Sequence, residues 1–122
     1  MNNNLSNERQ LLLNKLKEMI GHNVKVYIDR PIGFYHKGIT YTQNYGYIKE
    51  YIASDGEYQD TYVLGITEPI ETFTGKVIAI IKRLDDIEDK LIVCEENKEF
   101  SDEEIKSLIN FQEQYFKSKI IR

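Results

Sequence analysis

Acidic side chains are concentrated in two short segments of this 122-residue chain. The first, Asp55–Asp60, has three carboxylates in six residues and leads directly into an apolar run. The second, residues 85–90, has four carboxylates and lies between two further apolar runs. Crowded carboxylates repel one another unless a cation lies between them, and hard oxygen ligands suit Mg²⁺ or Mn²⁺. The two segments together indicate a divalent-metal site, although either one alone is also typical of a solvated loop.

The sequence does not provide the residues that other kinds of catalytic centre need. The single cysteine, Cys94, lies in an apolar run, which predicts a buried thiol and excludes an internal disulfide. The two histidines, His22 and His36, are not near either acidic segment in sequence, and we expect neither to be a ligand. The sequence shows no glycine-rich phosphate loop and no arrangement typical of a serine or cysteine nucleophile.

Charge and hydropathy limit the partners of the chain. The formal net charge of −4 argues against a nucleic-acid backbone as ligand. A small anion remains compatible with this charge, because a bound divalent metal reverses the local field. The sequence contains no apolar run as long as a membrane span, and its polar N-terminus is unlike a signal peptide. We expect a cytoplasmic protein without a membrane partner.

Two helices and about six strands are expected to position the acidic segments. Residues 6–20 predict a helix with an apolar stripe, which we expect to dock on the rest of the domain or on another subunit. The stripe comprises Leu12, Leu13, Leu16, Met19 and Ile20. Residues 24–94 predict the strands, and residues 101–117 a second helix that begins with a capping box. The expected fold is α+β, a single domain over residues 1–122 with a small closed or nearly closed antiparallel, OB-like barrel.

Three blocks of sequence follow one another within residues 24–117. They are Tyr41–Ile48, Asp55–Asp60 with Val63 and Leu64, and Gly75–Leu91. In this order they resemble the soluble inorganic pyrophosphatases of the magnesium-dependent, β-barrel kind. The resemblance implies hydrolysis of inorganic pyrophosphate to two phosphates, with Mg²⁺ as cofactor (Mn²⁺ as an alternative) and pyrophosphate as the small anionic substrate. A homo-oligomer is also expected.

The resemblance further implies roles for individual residues. It makes Asp55, Asp60 and Asp89 the ligands of two activating metals, with Asp60 bridging both and therefore catalytic. Asp85 matches a carboxylate that binds further metal arriving with the substrate. Glu57 stands at the position of the aspartate that accepts a proton from the attacking water. The groups expected to hold phosphate oxygens are Lys25, Tyr45, Lys90 and Tyr115.

The chain departs from the family pattern near the acidic segments. Glu57 is one methylene longer than the expected aspartate, and Tyr58 replaces the proline that usually follows it. Tyr27 occupies a strand position where the family has a glutamate. The arginine expected before the first block has no counterpart at Gly33. Its candidate replacements are Arg30, His36 and Lys37.

A further departure lies near the C-terminus. Phe116 follows Tyr115 where the family has a lysine, so the nearest lysine is Lys117. These departures leave alternative functions open: hydrolysis of another small phosphorylated compound, a catalytically weak relative that binds metal or phosphate, or a barrel whose acidic loops are only solvated.

Overall fold

The computed structural model describes residues 3–53 and 56–122, with side chains from residue 7 onward. Its helices and strands are, in chain order, α1 (Asn3–Glu18), β1 (Asn23–Arg30), β2 (Tyr35–His36), β3 (Ile39–Thr40), β4 (Asn44–Ile52), β5 (Tyr58–Val63), β6 (Thr72–Arg83), β7 (Asp89–Cys94), α2 (Asp102–Glu113) and β8 (Ser118–Ile121). None of the helices described is long and apolar enough to cross a membrane.

Five strands close into a barrel. Their order is β1-β4-β5-β7-β6, and β6 pairs again with β1. Every neighbouring pair is antiparallel except β5 and β7, which are parallel with Tyr62 opposite Ile92. A closed ring with an odd number of strands cannot alternate in direction throughout, so one parallel pair is unavoidable. The predicted α+β fold with a small barrel is therefore confirmed, and the antiparallel label is corrected to mixed.

One apolar cluster draws side chains from all five barrel strands. Its strand members are Val24, Val26, Ile48, Val63, Val77, Ile80, Leu91 and Val93. Such clusters form because alternate residues of a strand point to the same face. Helix α1 adds Leu13 and Leu16, whose side chains are almost fully buried. The prediction that the N-terminal helix docks its apolar stripe is confirmed for these two residues, although the helix spans Asn3–Glu18 and not 6–20.

A second apolar cluster lies on the outer face of the barrel, under α2. It combines Tyr45, Tyr62 and Ile92 from three strands with Ile105 and Ile109 from α2. The predicted capping box is present at the start of this helix, with both of its hydrogen bonds. Packing against this cluster fixes α2 over one side of the barrel.

The chain after α2 forms a strand that the sequence analysis did not predict. The helix ends at Glu113, and Ser118–Ile121 pair antiparallel with β6 as β8. Ile120 stands opposite Ile81 in this pairing. The predicted helix over 101–117 is therefore too long, since α2 ends at Glu113. The residues beyond the predicted helix, which had no assignment, extend the sheet beyond β6.

Candidate active site

A cleft of about 410 Å³ opens on the outer face of the barrel, beside the end of α2. Strands β1, β4, β5, β6 and β7 each contribute polar side chains to its walls. Those with charge or a hydroxyl group include Arg30, Tyr45, Asp60, Arg83, Glu88 and Lys90. The cleft therefore brings acidic and basic groups from distant parts of the sequence together.

Two carboxylates converge on one ammonium in this cleft. Lys90 Nζ donates to Asp60 Oδ2 at 2.7 Å and to Glu88 Oε2 at 3.1 Å. The lysine side chain is only 3% exposed, whereas those of Asp60 and Glu88 are 33% and 27% exposed. The parallel pairing of β5 with β7 produces this arrangement, since it sets Asp60 and Lys90 side by side on one face. The carboxylates thus face the solvent of the cleft while the cation lies below them.

A second fixed cation lies at the end of β6. Arg83 donates through Nε and Nη2 to Glu113, at 3.1 and 2.8 Å, and through Nη1 to Glu88 at 3.1 Å. Its guanidinium carbon lies 3.6 Å from the centre of the Phe116 ring. Burial opposes the charge of Arg83, but the hydrogen bond and charge of Glu113 outweigh it and raise the pKa of the guanidinium. Arg83 is therefore a permanent cation with a fixed orientation.

A buried hydrogen-bond network joins the end of α2 to the opposite wall of the cleft. Arg30 Nη1 donates to the Tyr41 hydroxyl at 2.6 Å, and that hydroxyl donates to Gln112. Gln112 Nε2 donates to the Tyr62 hydroxyl at 2.8 Å, which in turn donates to Glu113 at 2.5 Å. Two consecutive residues of α2 thereby hold groups from β1 and β5 in place.

Tyr45 supplies a hydroxyl group to the same cleft. The residue is 4% exposed, and Lys90 Nζ lies 5.8 Å from the centre of its ring. Burial, and then the charge of Asp60, raise the pKa of Tyr45 well above its usual value. The phenol therefore keeps its proton at neutral pH and can donate a hydrogen bond to a bound anion.

The sequence matches the profile of the inorganic pyrophosphatase family over residues 14–120. The chain belongs to the inorganic pyrophosphatase family. This match confirms the predicted family and the predicted enzyme class, inorganic diphosphatase. A search of curated proteins gave no significant match.

Solved structures of bacterial inorganic pyrophosphatases have a similar fold. The enzyme from Ehrlichia chaffeensis has a TM-score of 0.64 and 14% sequence identity, covering 82% of this chain and 85% of that chain. The enzyme from Coxiella burnetii gives 0.60 and 18%, covering 80% and 83%. The enzyme from Neisseria gonorrhoeae gives 0.56 and 19%, covering 78% and 74%. At sequence identities this low, the structural similarity shows that the fold is shared.

The pyrophosphatase fold places Asp89 away from the cleft. Asp89 and Lys90 are consecutive residues of β7, so their side chains point to opposite faces. Asp89 is 6% exposed and accepts a hydrogen bond of 2.9 Å from Arg9 of α1. The expected convergence of Asp89 with Asp60 is therefore corrected. The carboxylate that meets Asp60 is Glu88, which precedes Lys90 by two residues and shares its side of the chain.

The other predicted acidic residues have different positions. Asp55 lies outside the described residues. Glu57 is exposed and immediately precedes β5. Asp85 is also exposed, and its carboxylate accepts hydrogen bonds of 3.1 Å from the backbone N–H of Lys117. Neither Glu57 nor Asp85 is among the residues that line the cleft.

The predicted phosphate-binding residues are only partly brought together. Tyr45 and Lys90 lie in the cleft, and Tyr115 lines its edge with 62% of its surface exposed. Lys25 is exposed on β1, where its ammonium lies 5.2 Å from the centre of the Tyr27 ring, and it does not line the cleft. All three candidates for the missing arginine do line it, namely Arg30, His36 and Lys37.

Three charged residues that form contacts of the site were not predicted: Arg83 and Glu88 line the cleft, and Glu113 of α2 binds Arg83. Glu88 belongs to the second acidic segment but was not selected from it. Arg83 ends β6, where it follows Lys82 and the apolar run 77–81. Glu113 lies on the buried face of α2, eight residues after Ile105 and four after Ile109. This spacing is a signal present in the sequence: a charged residue on the apolar face of a helix is expected to have a buried partner of opposite charge.

The cleft contains carboxylate oxygens, the kind of ligand that a hard divalent cation prefers. Asp60 and Glu88 present carboxylate oxygens to the cleft, and an ammonium group of the protein already lies between them. Within residues 3–53 and 56–122, no group of three or more acidic, histidine or cysteine side chains is close enough to hold a metal ion. Among the described residues the two candidate ligands are Asp60 and Glu88, and Asp55, the other expected ligand of this region, lies outside the described residues.

Proposed function

We propose that this protein hydrolyses inorganic pyrophosphate to two phosphates in the cleft beside α2, with Mg²⁺ as the activating metal and Mn²⁺ as a substitute. The observation that carries this proposal is the meeting of two carboxylates, Asp60 and Glu88, with two fixed cations, Lys90 and Arg83. Membership of the inorganic pyrophosphatase family supports the same reaction. Carboxylates suit metal ligation, whereas the cations suit the oxygens of a phosphoryl group.

The chemistry requires charge neutralisation on both phosphoryl groups and an activated water. Bound metal, held by Asp60 and Glu88 with Asp55 as a further ligand, would supply both by screening the oxygens and by acidifying the water. The water oxygen forms a bond to one phosphorus while the bond from that phosphorus to the bridging oxygen breaks. Lys90 and Tyr45 donate hydrogen bonds to oxygens that gain charge in this step. Glu57 is proposed to accept the proton of the water.

Several assignments remain proposals that rest on the family resemblance. Asp85 is proposed to bind metal that arrives with the substrate, and Lys25 and Tyr115 to contact phosphate oxygens. The role of Asp89 is proposed on other grounds: its burial and its ion pair with Arg9 favour a contribution to stability, in place of the metal ligation that the resemblance implied. We also expect the protein to be cytoplasmic and to form a homo-oligomer.

Phosphate release by the purified protein tests this function. We expect pyrophosphate to be hydrolysed faster than tripolyphosphate, a nucleoside diphosphate or a phosphomonoester, and only when Mg²⁺ or Mn²⁺ is present. A rate equal to that of the enzyme-free control with both metals would contradict the proposal.

A second candidate function is the hydrolysis of a phosphorylated compound that carries an aromatic ring. Tyr27, Tyr47 and Tyr58 form a stacked row, with ring centres 5.8 and 5.5 Å apart. Tyr47, the middle ring of the row, stands directly opposite Asp60 in the pairing of β4 with β5, so the row passes beside a residue of the cleft. The nucleoside diphosphate in the same assay tests this candidate, which requires faster phosphate release from that compound than from pyrophosphate.

A further inference from the structure

Arg83, at the end of β6, is held in place by several carboxylates. Its side chain is 4% exposed, and three of its nitrogen atoms donate hydrogen bonds to carboxylates. Nε and Nη2 both donate to Glu113, which is itself 6% exposed. This two-point contact fixes the plane of the guanidinium, because both groups are planar and their hydrogen bonds are parallel.

The remaining nitrogen of Arg83 is directed towards the candidate metal ligands. Nη1 lies 3.1 Å from Glu88 Oε2 and 3.4 Å from Asp86 Oδ2. The same Glu88 oxygen accepts a hydrogen bond of 3.1 Å from Lys90. Glu88 Oε2 thus accepts hydrogen bonds from both Arg83 and Lys90. A metal ion held by Glu88 would compete for that oxygen, which would leave Lys90 and Arg83 Nη1 able to donate to a phosphoryl group beside them.

Phe116 packs against Arg83 at this wall of the cleft. Its ring packs against the guanidinium at 3.6 Å, and it lines the cleft together with Arg83. Phe116 also stands directly after Tyr115, where a lysine was expected from the family resemblance. The chain therefore has an aromatic ring at this position of the C-terminal segment and a cation beneath it, supplied by β6.

We propose that Arg83 binds a phosphoryl group of the substrate through Nη1, and that Glu113 positions it. This inference rests on the proposed function, since it concerns the same cleft. Arg83 then provides from β6 the positive charge that the residue after Tyr115 does not provide. Because the guanidinium is already fixed by Glu113 and Phe116, little conformational entropy is lost when the anion binds.

Calorimetric binding of imidodiphosphate, a non-hydrolysable pyrophosphate analogue, tests the inference in the presence of Mg²⁺. The test variant is the double substitution Arg83→Met with Glu113→Gln, which removes the buried ion pair as a unit and so avoids an isolated buried charge. We expect its Kd for the analogue, and its KM for pyrophosphate, to rise by about 10- to 100-fold. Arg122→Met is the matched control, because Arg122 pairs with Asp102 outside the cleft, and it should leave both values unchanged.

A rescue variant separates phosphate binding from a purely structural role. Adding Phe116→Lys to the double variant places an ammonium on the same wall, and we expect part of the lost affinity to return. If the double variant does not fold, Arg83→Lys replaces it. One ammonium group cannot hold Glu113 at two points and also reach the anion, so affinity should still fall.

The outcomes distinguish this inference from the proposed function. A folded double variant, or a folded Arg83→Lys variant, with wild-type Kd and KM would overturn the role of Arg83 while leaving hydrolysis by the wild type intact. Analogue binding that depends on Arg83, in a wild type that releases no phosphate from pyrophosphate, would support the role of Arg83 and contradict the proposed reaction.

Discussion

Glu88 and Asp89 are adjacent carboxylates with opposite surroundings. Glu88 contacts Lys90 and Arg83 in the cleft, whereas Asp89 is buried on the other side of the chain against Arg9. The difference arises because consecutive residues at the start of a strand point to opposite faces. Glu88 therefore lies with the proposed metal ligands of the cleft, whereas Asp89 stabilises the contact between α1 and the barrel.

Substituting each carboxylate in turn should give opposite results. We expect Glu88→Gln to weaken Mg²⁺ binding and lower kcat by about 10- to 100-fold. Stability should change little, because Arg83 keeps Glu113 and Lys90 keeps Asp60 as charged partners. Asp89→Asn should retain activity but lower the free energy of unfolding by about 1–3 kcal/mol, because Arg9 loses its charged partner. Calorimetry with Mg²⁺ and urea denaturation measure the two effects. Loss of metal binding in Asp89→Asn with none in Glu88→Gln would restore the assignment from sequence.

The structure brings three of the residues implied by the family resemblance into one cleft. Asp60, Tyr45 and Lys90 do share the cleft. Asp89 was expected beside them because the sequence placed it in an acidic loop, whereas in the structure β7 begins at Asp89 and turns its side chain away from that of Lys90. A shift of one position along a strand reverses the face of every side chain.

Helix α1 is the element that covers the apolar interior of the barrel. Leu16 is 1% exposed within the cluster formed by the five strands, whereas Leu11 on the same helix is 62% exposed. Burial of such a side chain in a closely packed core stabilises the fold through both transfer from water and close contact. The helix is therefore part of the structural core of the domain.

The two leucines provide a matched pair of variants. We expect Leu16→Ala to lower the free energy of unfolding by about 2–5 kcal/mol, because it leaves a cavity in the barrel interior. Leu11→Ala should change it by less than about 0.5 kcal/mol, since the side chain is exposed. Urea denaturation followed by circular dichroism measures both. Equal effects of the two substitutions would show that α1 does not fill the barrel as described.

The sequence predicted both helices from apolar periodicity, but it did not predict how the strands pair. The parallel pairing of β5 with β7 joins residues about thirty positions apart, as in the contact between Asp60 and Lys90. The short strand β8 was not predicted, because four residues carry too little periodicity to identify a strand. Strand order and direction depend on barrel closure, which is a property of the complete sheet.

Buried tyrosines make the stability of the whole molecule sensitive to alkaline pH. Burial and then the charge of Glu113 raise the pKa of Tyr62 well above its usual value, and burial and Asp60 raise that of Tyr45. In the unfolded chain both phenols ionise near pH 10, roughly. The unfolded state therefore loses protons before the folded state does. Stability is complete below about pH 10 and decreases as the pH rises above it.

Urea denaturation as a function of pH tests this dependence. We expect Tyr62→Phe to have a shallower loss of stability above about pH 10 than the wild type, because one ionisable phenol is removed. Tyr35→Phe is the control, since Tyr35 is 69% exposed and should leave the slope unchanged. An identical slope in the wild type and in Tyr62→Phe would refute the assignment.

The central claim is that this cleft hydrolyses pyrophosphate with metal held by its carboxylates. The most direct measurement is steady-state phosphate release from pyrophosphate with Mg²⁺ by the wild type, by Asp60→Asn and by Glu96→Gln, an exposed acidic residue outside the cleft. We predict turnover by the wild type and by Glu96→Gln that is abolished by EDTA, and a loss of at least about a hundredfold in Asp60→Asn with the fold retained. Wild-type turnover in a folded Asp60→Asn variant, or no turnover in the wild type, would contradict the claim.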